Sequence, residues 1–224
     1  RLKQLKMPKL TSVVPQKNNP RRFNIFLDGE FGFGADEDLV VEQRLIPGKL
    51  LNPQDVEKLL FESEVGKLME RMYVLFNLRQ RSGKEVRDYL KNLSFKRKIK
   101  GKEEISNAAI DLVIKKLKQK RLLNDKEFAK SWLEARTKKK GVGAIKGELF
   151  KKGIDRQIIE EIIESNDLES KQKNTAEQLL VKRLPRLKNL PNLEKRKKAY
   201  DFLLRRGFQY ELVKEIVEKL LKKE

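Results

Sequence analysis

Ile145-Lys146-Gly147-Glu148-Leu149-Phe150-Lys151-Lys152-Gly153-Ile154 reads as one helix and its stop. Ile145 and Leu149 are four apart, one turn away on the same face. Gly153 suits the left-handed position just past a helix, and Ile154 supplies the apolar contact that accompanies such a stop. The stretch recurs twice without gaps. Upstream it is Val86-Arg87-Asp88-Tyr89-Leu90-Lys91-Asn92-Leu93-Ser94-Phe95. Downstream it is Ala199-Tyr200-Asp201-Phe202-Leu203-Leu204-Arg205-Arg206-Gly207-Phe208. In the upstream copy Ser94 stands where the others have glycine, which predicts a looser cap there.

Each copy is followed by a helix with one apolar stripe: Ile110, Val113, Ile114 and Leu117; then Ile158, Ile159, Ile162 and Ile163; then Leu212, Val213, Ile216 and Val217. Each is also preceded by a helix, carrying Leu68, Met69, Met72 and Leu75; then Phe128, Ala129, Trp132 and Leu133; then Ala176, Leu179 and Leu180. Ser82 to Glu85 and Asn124 to Glu127 read as capping boxes, and Asp155 as an N-cap. The fold class is therefore mainly α: three tandem three-helix repeats stacking into an elongated, curved array. The expected division is residues 61–123, 124–166 and 167–224 for the repeats, behind an N-terminal region of residues 1–60.

That N-terminal region reads differently. Residues 1–20, with Pro8, Pro15 and Pro20, predict an extended arm. Phe23, Ile25 and Leu27 alternate, Asp28-Gly29 follows, and Phe31 and Phe33 alternate after it. An Asp-Gly pair between two β-prone runs is a hairpin signal, because the two-residue turn needs positive φ. Phe31 and Phe33 are expected to pack together on one face. Asp36-Glu37-Asp38 places acid at a helix start. Pro47-Gly48 breaks the chain, and Asn52-Pro53 starts the next helix.

Of 224 residues, 38% are hydrophobic and 38% charged, with a formal net charge of +20. This suits thin layers of helix on helix and a surface that attracts polyanions. No apolar run approaches the roughly 18 residues of a membrane span. No secretory segment is legible, so the cytoplasm is the simplest compartment. The chain has no cysteine and no histidine. That excludes a disulfide framework, Cys/His zinc sites and the usual general base. Adjacent acids such as Asp36 to Asp38 or Glu103-Glu104 do not make a convergent metal site. The glycines at 29, 32 and 34 lack the setting of a phosphate loop. No catalytic residue, metal or cofactor is expected.

Basic residues recur where the first helix of each repeat meets the second. They are Arg79, Arg81, Lys84 and Arg87; then Arg136, Lys138, Lys139 and Lys140; then Arg183, Arg186, Lys188, Lys195, Arg196, Lys197 and Lys198. Under a constant rotation between repeats they line one ridge, the footprint of a polyanion binder. The plainer alternative is a solvated lysine surface. Lys96 to Lys102 reads as a basic loop, open either to DNA or to variation. Trp132, four residues after Phe128, is core by spacing rather than a base-stacking platform.

The middle repeat, with Asn124-Asp125-Lys126-Glu127-Phe128-Ala129, Ala135-Arg136, Lys140 to Ile145 and Glu148 to Ile154, resembles the central signature of the RecX family. The segment Gln16-Lys17-Asn18 and the hairpin from Phe23 to Gly34 resemble the N-terminal extension of some bacterial members. The likeness runs over essentially the whole chain, and the ordered set of motifs carries it. The resemblance implies a non-enzymatic modulator of the RecA recombinase. Such a protein binds the groove of the RecA–single-stranded DNA filament, inhibits its ATP hydrolysis and strand exchange or promotes its disassembly, and in some members contacts DNA directly. It implies a setting in DNA repair, recombination and the SOS response. A general nucleic-acid binder working without a recombinase fits the charge equally well. No heptad seam stands out, so a monomer is expected.

Overall fold

The computed structural model describes residues 7–221, without the side chains of residues 169 and 170. Two compact units emerge: residues up to 79 with 89–122, and residues 80–88 with 123 onward.

The first unit opens with an antiparallel sheet in the order β1 (Leu10–Gln16), β2 (Asn19–Leu27), β3 (Glu30–Asp36). The β2–β3 turn falls on Asp28 and Gly29, with φ of 51° and 89°. Two expectations change here. Residues 10–16 are a paired strand rather than a free arm, with Val13 opposite Ile25 and Leu10 fully buried. The first six residues of the expected arm lie outside the described residues. Phe31 and Phe33 do not share a face. Ile25 pairs with Phe33 but the next residue, Phe26, pairs with Phe31, leaving Gly32 as the extra residue of a bulge. Phe33 is buried, whereas Phe31 is 60% exposed and meets Phe26 edge to face at 6.1 Å.

Helix α1 (Glu37–Glu42) starts as its acids predict, with Asp36 accepting from Leu39 N at 2.9 Å. Helix α2 (Pro53–Leu78) has Asn52 and Asp55 in a reciprocal capping box and Pro53 at its first turn. Arg22 ties the sheet to α2. It is buried, donates to Gly34 O at 3.1 Å and pairs with Glu70 at 2.9 Å. Helix α3 (Gly83–Ile99) corrects the expected stop at Ser94. Ser94 is buried inside the helix, accepts from Ile105 N at 2.9 Å and is followed by Phe95, which is 61% exposed. Most of the expected basic loop, Lys96 to Ile99, is therefore helical. Helix α4 (Asn107–Gln119) buries Ile110, Val113, Ile114 and Leu117 as its stripe predicts.

In the second unit, α5 (Asp125–Thr137), α6 (Val142–Lys151) and α7 (Arg156–Ser165) enclose one core, with Leu133, Ile145, Leu149 and Ile162 among its buried residues. Helix α8 (Leu168–Arg183), a 3-10 turn (Leu184–Leu187), α9 (Asn192–Leu204) and α10 (Tyr210–Leu221) enclose another, around Leu180, Leu203, Val213 and Ile216. Gly153 and Gly207 have φ of 75° and 82°. Behind them Ile154 N bonds Leu149 O at 3.1 Å and Phe208 N bonds Leu203 O at 3.4 Å, which closes the helix ends as the sequence predicts.

The repeats dock through these stops. Gly141 N donates to Arg206 O at 2.8 Å and Gly143 N to Gly207 O at 3.1 Å, so the carbonyl end of α9 caps the amide end of α6. The equivalent contact joins α6 to the start of α3, where Ser82 Oγ donates to Lys152 O at 2.7 Å. Gly83 N is accepted by Asp125 at 2.8 Å beside it. A Cβ on Gly141 would lie 2.4 Å from Gly207 O, a backbone atom, whereas one on Gly147 would meet nothing within 4 Å. The two substitutions therefore have opposite signs. Gly141→Ala is expected to lower unfolding free energy by about 1–3 kcal/mol. Gly147→Ala, in a helix interior, should raise it by about 0.5–1 kcal/mol. Urea unfolding of both variants checks this, and equal effects would contradict the docking.

Candidate anion-binding surface of the repeats

The basic residues expected to form one ridge divide into held and outward groups. In the middle repeat, Glu148 is the hub. It accepts from Trp132 Nε1 at 2.8 Å, pairs with Lys140, and stands 3.4 Å from Arg136 Nε, a buried nitrogen with no hydrogen bond among the described residues. Arg136 and Lys152 also lie over the Trp132 ring, 4.6 and 4.9 Å from its centroid. Trp132 itself is half-buried, packs on the core and stacks on Phe128 at 5.7 Å. This placement agrees with the core reading of Trp132 and leaves its ring covered by cations rather than open to a base. Burial alone would push the Glu148 carboxyl up. Hydrogen bonds from Lys140 and Trp132, with the charges of Lys140 and Arg136, outweigh burial and hold it below the usual carboxylate range.

Lys138 and Lys139, between these anchors, are exposed. Around the first junction, Lys84 pairs with Asp88 at 2.8 Å, while Arg79, Arg81 and Arg87 each make polar or charge contacts within the protein. In the third repeat Lys195 departs from the expectation. It is 6% exposed and lies inside α9, so it is no part of an outer ridge. Its position aligns with Ser82 and Gly141, but α9 begins three residues earlier at Asn192, which draws Lys195 into the helix wall. Arg183 lies 5.6 Å from the Phe202 ring centre. Arg186, Lys188, Lys197 and Lys198 are exposed, and Arg196 is half-buried.

Two cations escaped the junction pattern. Lys152 pairs with Glu85, and Arg206 donates to Lys139 O at 2.9 Å and covers Phe202 at 4.5 Å. Both immediately precede a stop glycine, a recurrence visible in the aligned repeats. Among the described residues, no group of three or more acids forms a metal site, and no helix is long and apolar enough to cross a membrane.

Docked helix ends with outward lysines between them define a tandem three-helix-repeat protein. Family models agree with this architecture. The model described as the regulatory protein RecX N-terminal domain matches residues 8–52. Those for the second and third three-helix domains of RecX match residues 124–163 and 171–217. The chain is 33% identical to regulatory protein RecX of Listeria monocytogenes serovar 1/2a, over 92% of the chain and 73% of that relative. It is 34% identical to that of Bacillus subtilis strain 168, over 96% of the chain and 78% of that relative. A crystal structure of regulatory protein RecX superimposes with a TM-score of 0.74, over 97% of the chain and 100% of that structure, at 23% identity, which speaks to the fold. RecX from Lactobacillus salivarius gives 0.56 at 28% identity, over 70% of the chain and 96% of that structure. The chain belongs to the RecX family of regulatory proteins.

Because the folded Glu148 carboxyl titrates low, its contribution is complete at neutral pH and disappears as pH falls through that lowered value. Glu148→Gln is expected to cost about 1–2 kcal/mol at pH 7. Its deficit against the parent protein should narrow as pH falls below the usual carboxylate range and close as the lowered value is passed. Denaturant midpoints across pH check this; a deficit unchanged from pH 7 to pH 3 would contradict the hub.

Proposed function

We propose that this chain binds the filament formed by RecA on single-stranded DNA and inhibits its ATPase and strand exchange. Family membership supports the regulatory role, and one structural observation supports the mode. Docked repeats carry outward lysines: Lys138 and Lys139 in the turn before α6, and Lys197 and Lys198 on the exposed side of α9. Spaced cations on a stiff scaffold suit a repeating polyanion such as filament-bound DNA, and also acidic loops of the recombinase. Several weak contacts on one body gain from effective concentration. ATPase would fall because binding favours one filament state. The functional segments are residues 1–60, 61–123, 124–166 and 167–224, and the acting species is a cytoplasmic monomer.

Arg136 and Lys140 are committed to Glu148 and Lys195 is buried, so the outward lysines carry the proposed contacts. The test is DNA-dependent ATPase of a cognate RecA, titrated with this protein at fixed single-stranded DNA and physiological salt. Substoichiometric inhibition is expected. Changing Lys138, Lys139, Lys197 and Lys198 to Ala should raise the inhibitory concentration roughly tenfold without altering thermal stability. Inhibition only when the protein saturates the DNA would replace this reading with a general nucleic-acid binder.

A further inference from the structure

The middle repeat holds a cleft that the outward lysines do not explain. It has a volume of about 260 Å³ and lies among the end of α5, the start of α6 and the α7–α8 connection with the first turns of α8. Its floor is aliphatic: Leu133, Val142, Ile145 and Leu168. Among the described residues, Lys138 and Lys171 stand exposed at its rim beside the carboxylate of Glu134, with Lys171 Nζ donating to Asn166 O at 2.9 Å. Lys140 also lines it but is committed to Glu148. Gln172 is 7% exposed and lines the cleft. Its Oε1 accepts from Val142 N at 3.0 Å, and its Nε2 donates to no described residue. That donor is not among the buried polar atoms without a partner, so it is reached from the cleft and is free for a ligand there.

We propose that this cleft docks a segment of a protein partner that presents a large aliphatic side chain flanked by carboxylates. The aliphatic floor receives the side chain. A backbone carbonyl of the segment accepts from Gln172 Nε2. The flanking carboxylates meet Lys138 and Lys171. This mode is an anchor in a pocket with a charged rim. Nucleic acid fits less well: sequence-tolerant capture of single strands relies on bases stacking on aromatic rings, and no aromatic residue lines the cleft among the described residues. Trp132, in the same repeat, has cations over its ring instead. The inference goes beyond filament binding through lysines, because it assigns a protein ligand and needs no recombinase for its test.

The experiment is a titration of the full, 15N-labelled chain with the capped peptide Asp-Glu-Leu-Asp-Glu, followed by NMR. Parallel titrations use the same peptide with Ser replacing Leu, and a five-residue oligothymidylate. The leucine peptide should shift the Gln172 side-chain amide and the Val142 backbone amide saturably. The serine peptide should bind at least roughly tenfold more weakly, having lost one buried aliphatic side chain. Thr175→Phe, which fills the cleft from its α8 wall, should abolish the shifts. Equal binding of the two peptides, shifts spread over the outer lysines, no response at Gln172, or a stronger response there to the oligonucleotide would each overturn the proposal. The peptide comparison is made on the unaltered protein and holds even if the Phe variant misfolds.

Discussion

Everything in the second unit depends on a contact with no room for a side chain: the amides of Gly141 and Gly143 against the carbonyls of Arg206 and Gly207. A helix start has amides without partners and a helix end has carbonyls without partners. Here the two deficits cancel across the boundary between the middle and third repeats. The dipoles of the joined helices then run head to tail, which is the favourable sense. One step upstream the hydroxyl of Ser82, rather than a backbone amide, meets the carbonyl of Lys152. The small cores of the middle and third repeats thus support one another, as nearest-neighbour stability in repeat proteins requires.

The outer repeats depart from the docking pattern. Ser94 aligns with Gly153 and Gly207 but needs no left-handed stop, and α3 runs on to Ile99. Lys195 aligns with Ser82 and Gly141 but lies inside α9, which starts at Asn192. The cations sort accordingly. Those next to the docking glycines, Lys152 and Arg206, are consumed in the joint, together with Arg136 and Lys140 on Glu148. Those away from the joints, such as Lys138, Lys139, Lys197 and Lys198, are exposed and carry the proposed partner contacts.

Much of this was legible in the residues themselves. The stops at Gly153 and Gly207, the Asn52–Pro53 start and the three apolar stripes follow from local rules that context did not override. What was missed depends on contacts distant in sequence. The bulge at Gly32 moves Phe31 off the face shared by Ile25 and Phe33, and alternation alone does not show which glycine is the extra residue. Pairing of residues 10–16 depends on β2, not on their own pattern. The burial of Lys195 and the hub at Glu148 required knowing which helix wall each faces. The cleft beside Gln172 left no sequence signal, because its floor residues read as ordinary core.

The central claim is that backbone docking at Gly141 and Gly143 couples the middle and third repeats. Native-state hydrogen exchange of those two amides tests it most directly. If the docking holds, both exchange only as slowly as the core amides of the two repeats, through an opening that unfolds the repeats together. Exchange at the rate of an exposed loop, while Leu149 and Leu203 stay protected, would show that the repeats are independent and that the glycine joint does not couple them.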